Sequence, residues 1–208
     1  MTDDAACRAR VIDLARAVRL AAALFAGGVA LAAAPTIARA DGCGDDVVGR
    51  NAVLADLGLH VVSLGYQRTV ACRLVLQAST GLYVPWTVND DVLGLGGTRP
   101  HGTLNVAGWV LRARPFVFPL GHAPTGLWFS PYLQGAYVRG VLPAGGSAGG
   151  FANAEGLSVG YTFEVAHHLL VALGAGAEFQ AAQIQSSTEP PGFARFGPQL
   201  DLNIGYSF

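Results

Sequence analysis

The stretch Gln199-Leu-Asp-Leu-Asn-Ile-Gly-Tyr-Ser-Phe208 alternates between apolar and polar or small residues at every step. Because successive side chains of a β-strand point to opposite faces, this period of two predicts a strand with one apolar and one polar face. In a soluble sheet the apolar face would lie against a core, whereas in a membrane barrel it would face lipid and leave the interior polar. The stretch therefore indicates an all-β fold and leaves two environments open.

The same alternation recurs in earlier parts of the chain. Seven segments show it clearly, over residues 52–66, 69–83, 103–118, 125–139, 152–165, 168–181 and 194–208. Because bacterial single-chain barrels have an even number of strands, we expect an eighth, weaker strand at about 86–96. The pattern predicts an eight-stranded antiparallel up-and-down transmembrane β-barrel over residues 52–208.

The first of these segments has a defect in its alternation. Leu57, Leu59 and Val61 share one parity, but Val62 and Leu64 continue the apolar positions on the other. A period of two changes parity only where a residue is inserted or the strand ends. The sequence predicts a β-bulge near Val61–Val62, and a true strand break at this point is the competing interpretation.

The composition supports a membrane environment. The chain has 208 residues, of which 51% are hydrophobic, and its mean hydropathy is +0.39. Charged residues make up 13%, against about 25% in an average soluble domain. Beyond Pro35, no apolar run reaches the roughly 18 residues that a membrane-spanning helix needs. Since only helices and closed barrels satisfy every backbone group in lipid, a barrel is the leading class.

The start of the chain has the features of a secretory signal. An apolar run over residues 20–34 follows a group of arginines, and Ala38-Arg39-Ala40 after it forms a small-residue cleavage pattern. We expect a cleavable signal helix over residues 1–40, with cleavage before Asp41. An inner-membrane anchor is the alternative interpretation. Residues 41–51 would form a short periplasmic segment before the barrel.

Two cysteines remain after such a cleavage, Cys43 and Cys72. The oxidising cell envelope allows a disulfide between them, but two cysteines on one chain do not require one. Lipidation of Cys43 is disfavoured, because Ala40-Asp41-Gly42 matches a lipoprotein signal poorly.

The last ten residues resemble the final strand of Gram-negative outer-membrane proteins. They end in Phe208, and Leu202, Ile204 and Tyr206 stand on the same face. In that class, a terminal aromatic residue and its alternating partners are read by the barrel-assembly machinery. Together with the leader and the short length, this makes the chain similar to the small barrels of the OmpA, OmpX and OmpW class. The resemblance implies an outer-membrane location, this assembly route and contact with outer-membrane lipid, but no substrate.

Several charged residues fall on the face that a barrel would turn inward. They are Asp56, Arg73, Arg112, Arg114, Glu164, Glu178, Arg195 and Asp201. An eight-stranded barrel is just wide enough for side chains to fill, and buried charges must be paired. We therefore expect a lumen ion-pair network in two layers, with Arg73, Glu178 and Arg195 near the outer end, Asp201 about midway and the others near the periplasmic end. A conduit or ligand site made from these charges is the alternative interpretation.

The aromatic residues of the predicted strands suit girdles at the two membrane interfaces, although some could fill the lumen instead. They are Tyr83, Trp86, Trp109, Trp128, Tyr132, Tyr161 and Tyr206.

Motifs for cofactor binding are absent from the sequence. It has no phosphate loop, dinucleotide fingerprint or zinc spacing. His167 and His168 are neighbours, so in an extended chain they point apart and chelate one ion poorly. The candidates for a hydrolase site are Ser130, Ser158, His60, His168 and Glu164, and no spacing draws them together. We expect no enzyme activity, no metal site and no cofactor.

The sequence favours an outer-membrane barrel with a charge-plugged lumen and a structural or surface role, or minor passage of small solutes. A second hypothesis is a transporter of small hydrophobic compounds with a lateral opening, because Pro131 lies mid-strand and Gly135 follows it. A third is a soluble lipocalin-like barrel that binds a lipophile inside. The formal net charge of −1 gives no basic surface for nucleic acid, and a monomer is favoured.

Overall fold

The structure, a computed structural model, describes residues 47, 49–59, 61–83, 105–141, 147–165, 168–185 and 192–208. Its eight strands are β1 Asn51–Gly58, β2 Val61–Ala71, β3 Leu74–Tyr83, β4 Asn105–Val117, β5 Gly126–Val141, β6 Ser147–Val165, β7 Leu169–Gln185 and β8 Gly192–Ser207. Each strand pairs antiparallel with the next, and β8 pairs with β1, which closes the barrel. The prediction of an eight-stranded antiparallel up-and-down barrel is confirmed. The expected signal helix lies outside the described residues. Within them, no helix is long and apolar enough to cross a membrane.

The strands are tilted because their register is staggered around the barrel. Followed through all eight strand pairs from Leu202, the register returns to β8 at Gly192, ten residues away. A closed sheet with this stagger must tilt its strands against the barrel axis, and eight strands enclose a lumen that side chains can fill.

The two ends of the barrel differ. At the end we call the terminal end, β1 begins and β8 ends, and the connections 72–73, 118–125 and 166–168 join neighbouring strands. At the opposite end, the loop end, the strands are joined through residues 59–60, 84–104, 142–146 and 186–191. The connection 84–104 makes the loop end the side with the longest segment between strands.

The predicted first strand is two strands. β1 ends at Gly58 and β2 begins at Val61, so the segment 52–66 folds back on itself at residues 59–60. The prediction of a β-bulge near Val61–Val62 is wrong, and the competing interpretation, a strand break, is correct. Leu57 pairs with Val62, which places the two parities of the segment on neighbouring strands. The parity change therefore marks a tight hairpin.

This hairpin also changes the strand count. The expected weak strand at 86–96 lies outside the described residues, and the eight described strands are complete without it. The predicted segment 69–83 is also divided between two strands, since β2 runs to Ala71 and β3 starts at Leu74. The register of β2 against β3 shifts between Thr69 and Ala71, so an irregularity exists, but at the terminal end of β2.

Alternation along the strands separates an apolar exterior from a polar interior. On β8, Gln199, Asp201 and Asn203 are buried, while Leu200 and Ile204 are exposed. The same holds around the barrel, where large apolar side chains on the outer face are exposed or half-buried and reach 71% exposure at Phe151. The structure thus places the apolar face of the strands outside.

Three of the predicted girdle aromatics lie inside the barrel. Trp128, Tyr132 and Tyr83 are buried, whereas Trp109 and Tyr161 are exposed on the outer face. Tyr206 is also exposed, and Trp86 lies outside the described residues. The indole of Trp128 fits within this narrow lumen because its ring lies against two glycines, which have no side chains. A Cβ on Gly160 or Gly174 would lie 2.3 or 2.4 Å from its ring.

The terminal end of the lumen is filled with apolar side chains. Phe118 and Ala123 from the connection 118–125 pack inside with Phe116, Trp128 and Val75. The connection is held by backbone hydrogen bonds, from Phe118 N to Arg73 O at 2.9 Å and from Ala123 N to Cys72 O at 2.8 Å. Phe118 and Ala123 therefore close the lumen as an apolar stopper beneath its polar part.

Candidate functional site: the charged interior

Two arginines of β4, Arg112 and Arg114, both point into the lumen, because residues two apart on a strand share one face. Arg114 donates to both carboxylate oxygens of Asp201, at 2.9 and 3.1 Å from its two Nη atoms. Its Nε donates to Ser130 Oγ at 3.0 Å, and Nη2 donates to Ser158 Oγ at 2.6 Å. This one side chain thus joins β4 to β5, β6 and β8.

Arg112 occupies the next inward position and reaches the other carboxylate. Its Nη1 lies 3.3 Å from Asp56 Oδ1 and 3.5 Å from Asp201 Oδ1. Nε and Nη2 donate to Gln134 Oε1 at 3.0 and 2.8 Å. Asp56 also accepts a hydrogen bond from Ser79 Oγ at 2.8 Å. Arg112 therefore bridges the two carboxylates.

We refer to Asp56, Arg112, Arg114 and Asp201 as the central cluster. It combines two positive and two negative charges, and each side chain is 2% exposed or less. Such burial is costly unless every charge is paired and hydrogen-bonded. Aromatic faces complete the surroundings of Arg114, whose Cζ lies 4.5 Å from the Phe116 ring centroid. The cluster is internally neutral and fills the lumen.

A third carboxylate lies further towards the loop end. Glu178 is buried and accepts hydrogen bonds from Tyr132 Oη and Gln180 Nε2. Tyr132 reaches it across β6, where Gly156 has no side chain to obstruct the ring. The Arg112 guanidinium lies 5.1 Å from the same tyrosine ring. The ring of Tyr132 therefore separates Glu178 from the central cluster.

The other predicted charges lie elsewhere. Glu164 is at the terminal rim, about one-quarter exposed, and pairs with Arg50 at the start of β1. Arg73 was expected inward near the outer end, but it is exposed in the turn between β2 and β3 at the terminal end. The error follows from extending a strand through residues 72–73, which form a turn. The side chain of Arg195 lies outside the described residues. The expected two layers are therefore replaced by one central cluster, a separate Glu178 site and a rim pair.

Neutral polar residues that sequence reasoning did not emphasise complete the cluster. Gln77, Ser79, Gln134 and Gln199 are all buried and hydrogen-bonded to cluster side chains. Their inward parity could have identified them, because buried charges need more hydrogen bonds than their ion-pair partners supply.

The pairing of β4 with β5 is interrupted at two prolines. The register pairs Ala113 with Leu133 and next pairs Val117 with Phe129. Between them Pro115 faces Pro131 by continuation of the register, and neither has an N–H to donate. Ser130 Oγ, which is bonded to Arg114, donates to Pro131 O at 3.5 Å.

Little free space remains in the lumen. A cavity lined by residues that include Leu54, Phe116 and Asn203 has a volume of about 10 Å³, roughly the space of one water molecule. The interior as described is packed by side chains.

The hydrolase and metal candidates do not form a site among the described residues. Ser130 and Ser158 are bonded to Arg114, and His168 Nδ1 lies 3.0 Å from the backbone O of Ser207. His60 and His167 lie outside the described part of the chain. Within that part, no group of three or more His, Cys, Asp or Glu side chains could hold a metal ion.

The residues of the expected assembly signal stand on the outer face of β8 and just beyond it. Ile204, Tyr206 and Phe208 are exposed, and Leu202 is half-buried. At the terminal end, Cys72 is disulfide-bonded. The other two cysteines of the chain, Cys7 and Cys43, lie outside the described residues.

Neither a scan of protein-family models nor a search of curated proteins finds a match for this chain.

Proposed function

We propose that this protein is a bacterial outer-membrane barrel whose lumen is plugged by charged side chains and whose role is structural or at the cell surface. The observation that carries the proposal is the direction of the two faces. Large apolar side chains cover the outside, while buried charges and amides fill the inside. Water outside such a barrel would contact an apolar belt far larger than soluble proteins expose.

Other features support the same location. Residues 1–40 have the pattern of a secretory signal, and a disulfide at Cys72 is favoured by an oxidising compartment. The last strand resembles those of the small OmpA, OmpX and OmpW barrels. The longest connection, 84–104, lies at the loop end, which suits an external end.

The plug is inferred from the way the lumen is filled. The central cluster spans the lumen from β1 and β4 to β8, and the apolar stopper lies beneath it. An ion passing through would have to break buried ion pairs, which is strongly unfavourable. We therefore expect no sustained conductance from the intact barrel.

The location and the plug are tested by separate measurements. Membrane and soluble fractions are compared on gels with and without boiling, because a closed barrel migrates differently before it is unfolded. A mobility shift in the outer-membrane fraction supports the location. Recovery in the soluble periplasmic fraction without a shift would refute it and favour the lipocalin-like alternative. Planar-bilayer recordings of the refolded protein then test the plug, which steady open-channel conductance would refute.

A transporter of small hydrophobic compounds is a second candidate, and the interrupted β4–β5 pairing favours it. Opposed Pro115 and Pro131 weaken the wall at one position, as a lateral opening would require. Quenching of a bound apolar fluorophore by a quencher attached to the surrounding lipid at this seam would support transport. Disulfide closure of the seam between cysteines introduced at Ala113 and Leu133 should then block release. Unchanged release after closure would exclude this route.

A further inference from the structure

Arg139 is held on the outer face of β5, near the loop end. Its Nε donates to Tyr137 Oη at 3.2 Å, and its Cζ lies 5.5 Å from the same ring centroid. Its register partners on either side are Ala107 and Gly149, which are both small. Within the described part of the chain, Arg139 contacts no carboxylate. Its two Nη groups are therefore oriented at the surface and available to an anion.

An aromatic row lies directly below this guanidinium. Tyr137 pairs with Trp109 on β4 and with Phe151 on β6. The Tyr137 and Phe151 rings meet edge to face with centroids 5.3 Å apart. All three rings are exposed on the outside of the barrel. Rings of this kind at the boundary of an apolar belt are typical of a membrane interface.

A gap in the surface follows below the aromatic row. Gly135 is the next outward position on β5, and a Cβ built there would meet no atom within 4 Å. Leu111 and Asn153 flank it as register partners. Further towards the terminal end, Leu133 continues the exposed apolar face. The strip thus runs from a cation, through aromatic rings, to the position without a side chain between Leu111 and Asn153, which we call the groove, and then to apolar surface.

We propose that this strip, Arg139, Tyr137, Gly135 and Asn153, binds a phosphorylated glycolipid of the outer leaflet. A guanidinium forms strong, charge-assisted hydrogen bonds with phosphate. The aromatic row suits a sugar ring, Asn153 can bond the amide or hydroxyl at the root of an acyl chain, and the groove at Gly135 accepts the chain. The order of chemical groups along β5 matches that of the lipid from headgroup to tail. The inference rests on the proposed outer-membrane location, with the loop end facing outwards.

The test is lipid binding by the full-length mature barrel in neutral detergent micelles. The probe is bisphosphorylated lipid A, titrated and measured by native mass spectrometry. Arg139→Ala should weaken binding by about tenfold or more, since a charge-assisted contact to phosphate is lost. The matched control is Arg68→Ala, because Arg68 is an exposed arginine on the outer face of β2 near the terminal end. It should leave the affinity unchanged, and dephosphorylated lipid A should bind wild type and Arg139→Ala equally weakly.

A second variant tests the groove independently of charge. Gly135→Leu fills the gap on the surface, so it should weaken binding of the acylated lipid without altering the mobility shift that reports a folded barrel. Displacement of the lipid by millimolar inorganic phosphate would overturn the glycolipid in favour of a free-anion site. Equal affinities for Arg139→Ala and Arg68→Ala, in variants that are folded and inserted in the membrane, would overturn the inference while the location stands. Failure of the wild-type protein to fractionate with the outer membrane would instead refute the proposed function.

Discussion

Removing the negative charge of Asp201 tests whether the central cluster holds the barrel together. Asp201→Asn keeps the shape of the side chain and one acceptor oxygen for Arg114. The charge balance of the cluster, however, changes from two positive and two negative groups to two positive and one negative. Arg114 would then retain Ser130 and Ser158 as partners but no adjacent carboxylate of its own.

The magnitude follows from burial. Leaving one member of a buried ion pair uncompensated costs about 3–5 kcal/mol. A typical domain has about 5–15 kcal/mol of stability in all, so a large share would be lost. Because about 1.4 kcal/mol corresponds to tenfold, the folding equilibrium constant should fall by more than roughly 100-fold.

The assay is urea unfolding of the refolded barrel in vesicles of a neutral phospholipid. Gel mobility reports the folded fraction, and tryptophan fluorescence includes the signal of Trp128, whose ring centroid lies 5.6 Å from Arg114 Cζ. The control is Glu164→Gln, which removes the partly exposed rim pair with Arg50 and should cost about 0–1 kcal/mol.

A double variant separates charge from packing. Arg114→Met combined with Asp201→Leu removes both charges, so it should be more stable than Asp201→Asn alone. Equal stability losses for Asp201→Asn and Glu164→Gln would contradict this prediction, because they would show that the buried cluster contributes no more than a rim ion pair.

Four further outcomes are expected. Gly174→Ala places a Cβ 2.4 Å from the buried indole and should destabilise by about 1–3 kcal/mol. Gly197→Ala, whose Cβ would meet nothing within 4 Å, should be nearly neutral in the same urea assay. Peptide mapping without reductant should link Cys72 to Cys43, and a free Cys72 thiol would contradict this. N-terminal sequencing of the membrane-bound protein should begin at Asp41, whereas an intact N-terminal segment would favour the anchor interpretation.

Much of the barrel could be predicted because its determinant is local. The alternation over Gln199–Phe208 assigns β8 and its two faces. The same alternation along β4 predicts that Arg112 and Arg114 point inward. The prediction missed the turn at 72–73, where Cys72-Arg73 carries no Gly or Pro, and it interpreted the turn at 59–60, which follows Gly58, as a bulge. Arg73 was misplaced for that reason.

The pairing of charges could not be predicted from the sequence. Arg114 meets Asp201 from 87 positions away along the chain, and nothing near either residue specifies the other. Glu164 has the same inward parity but lies at the rim, where it pairs with Arg50. Height within the lumen depends on register, and register depends on where every preceding hairpin turns.

Local alternation is enough to predict the strands, the side chains that share a face, and the apolar and polar character of the two faces. The three-dimensional fold is needed to establish which segments make up the eight strands, their ten-residue stagger, and which charges meet. The two kinds of information differ in range along the chain. Alternation is a property of neighbouring residues, whereas closure and stagger couple all strands at once, and a single two-residue turn shifts every partner beyond it.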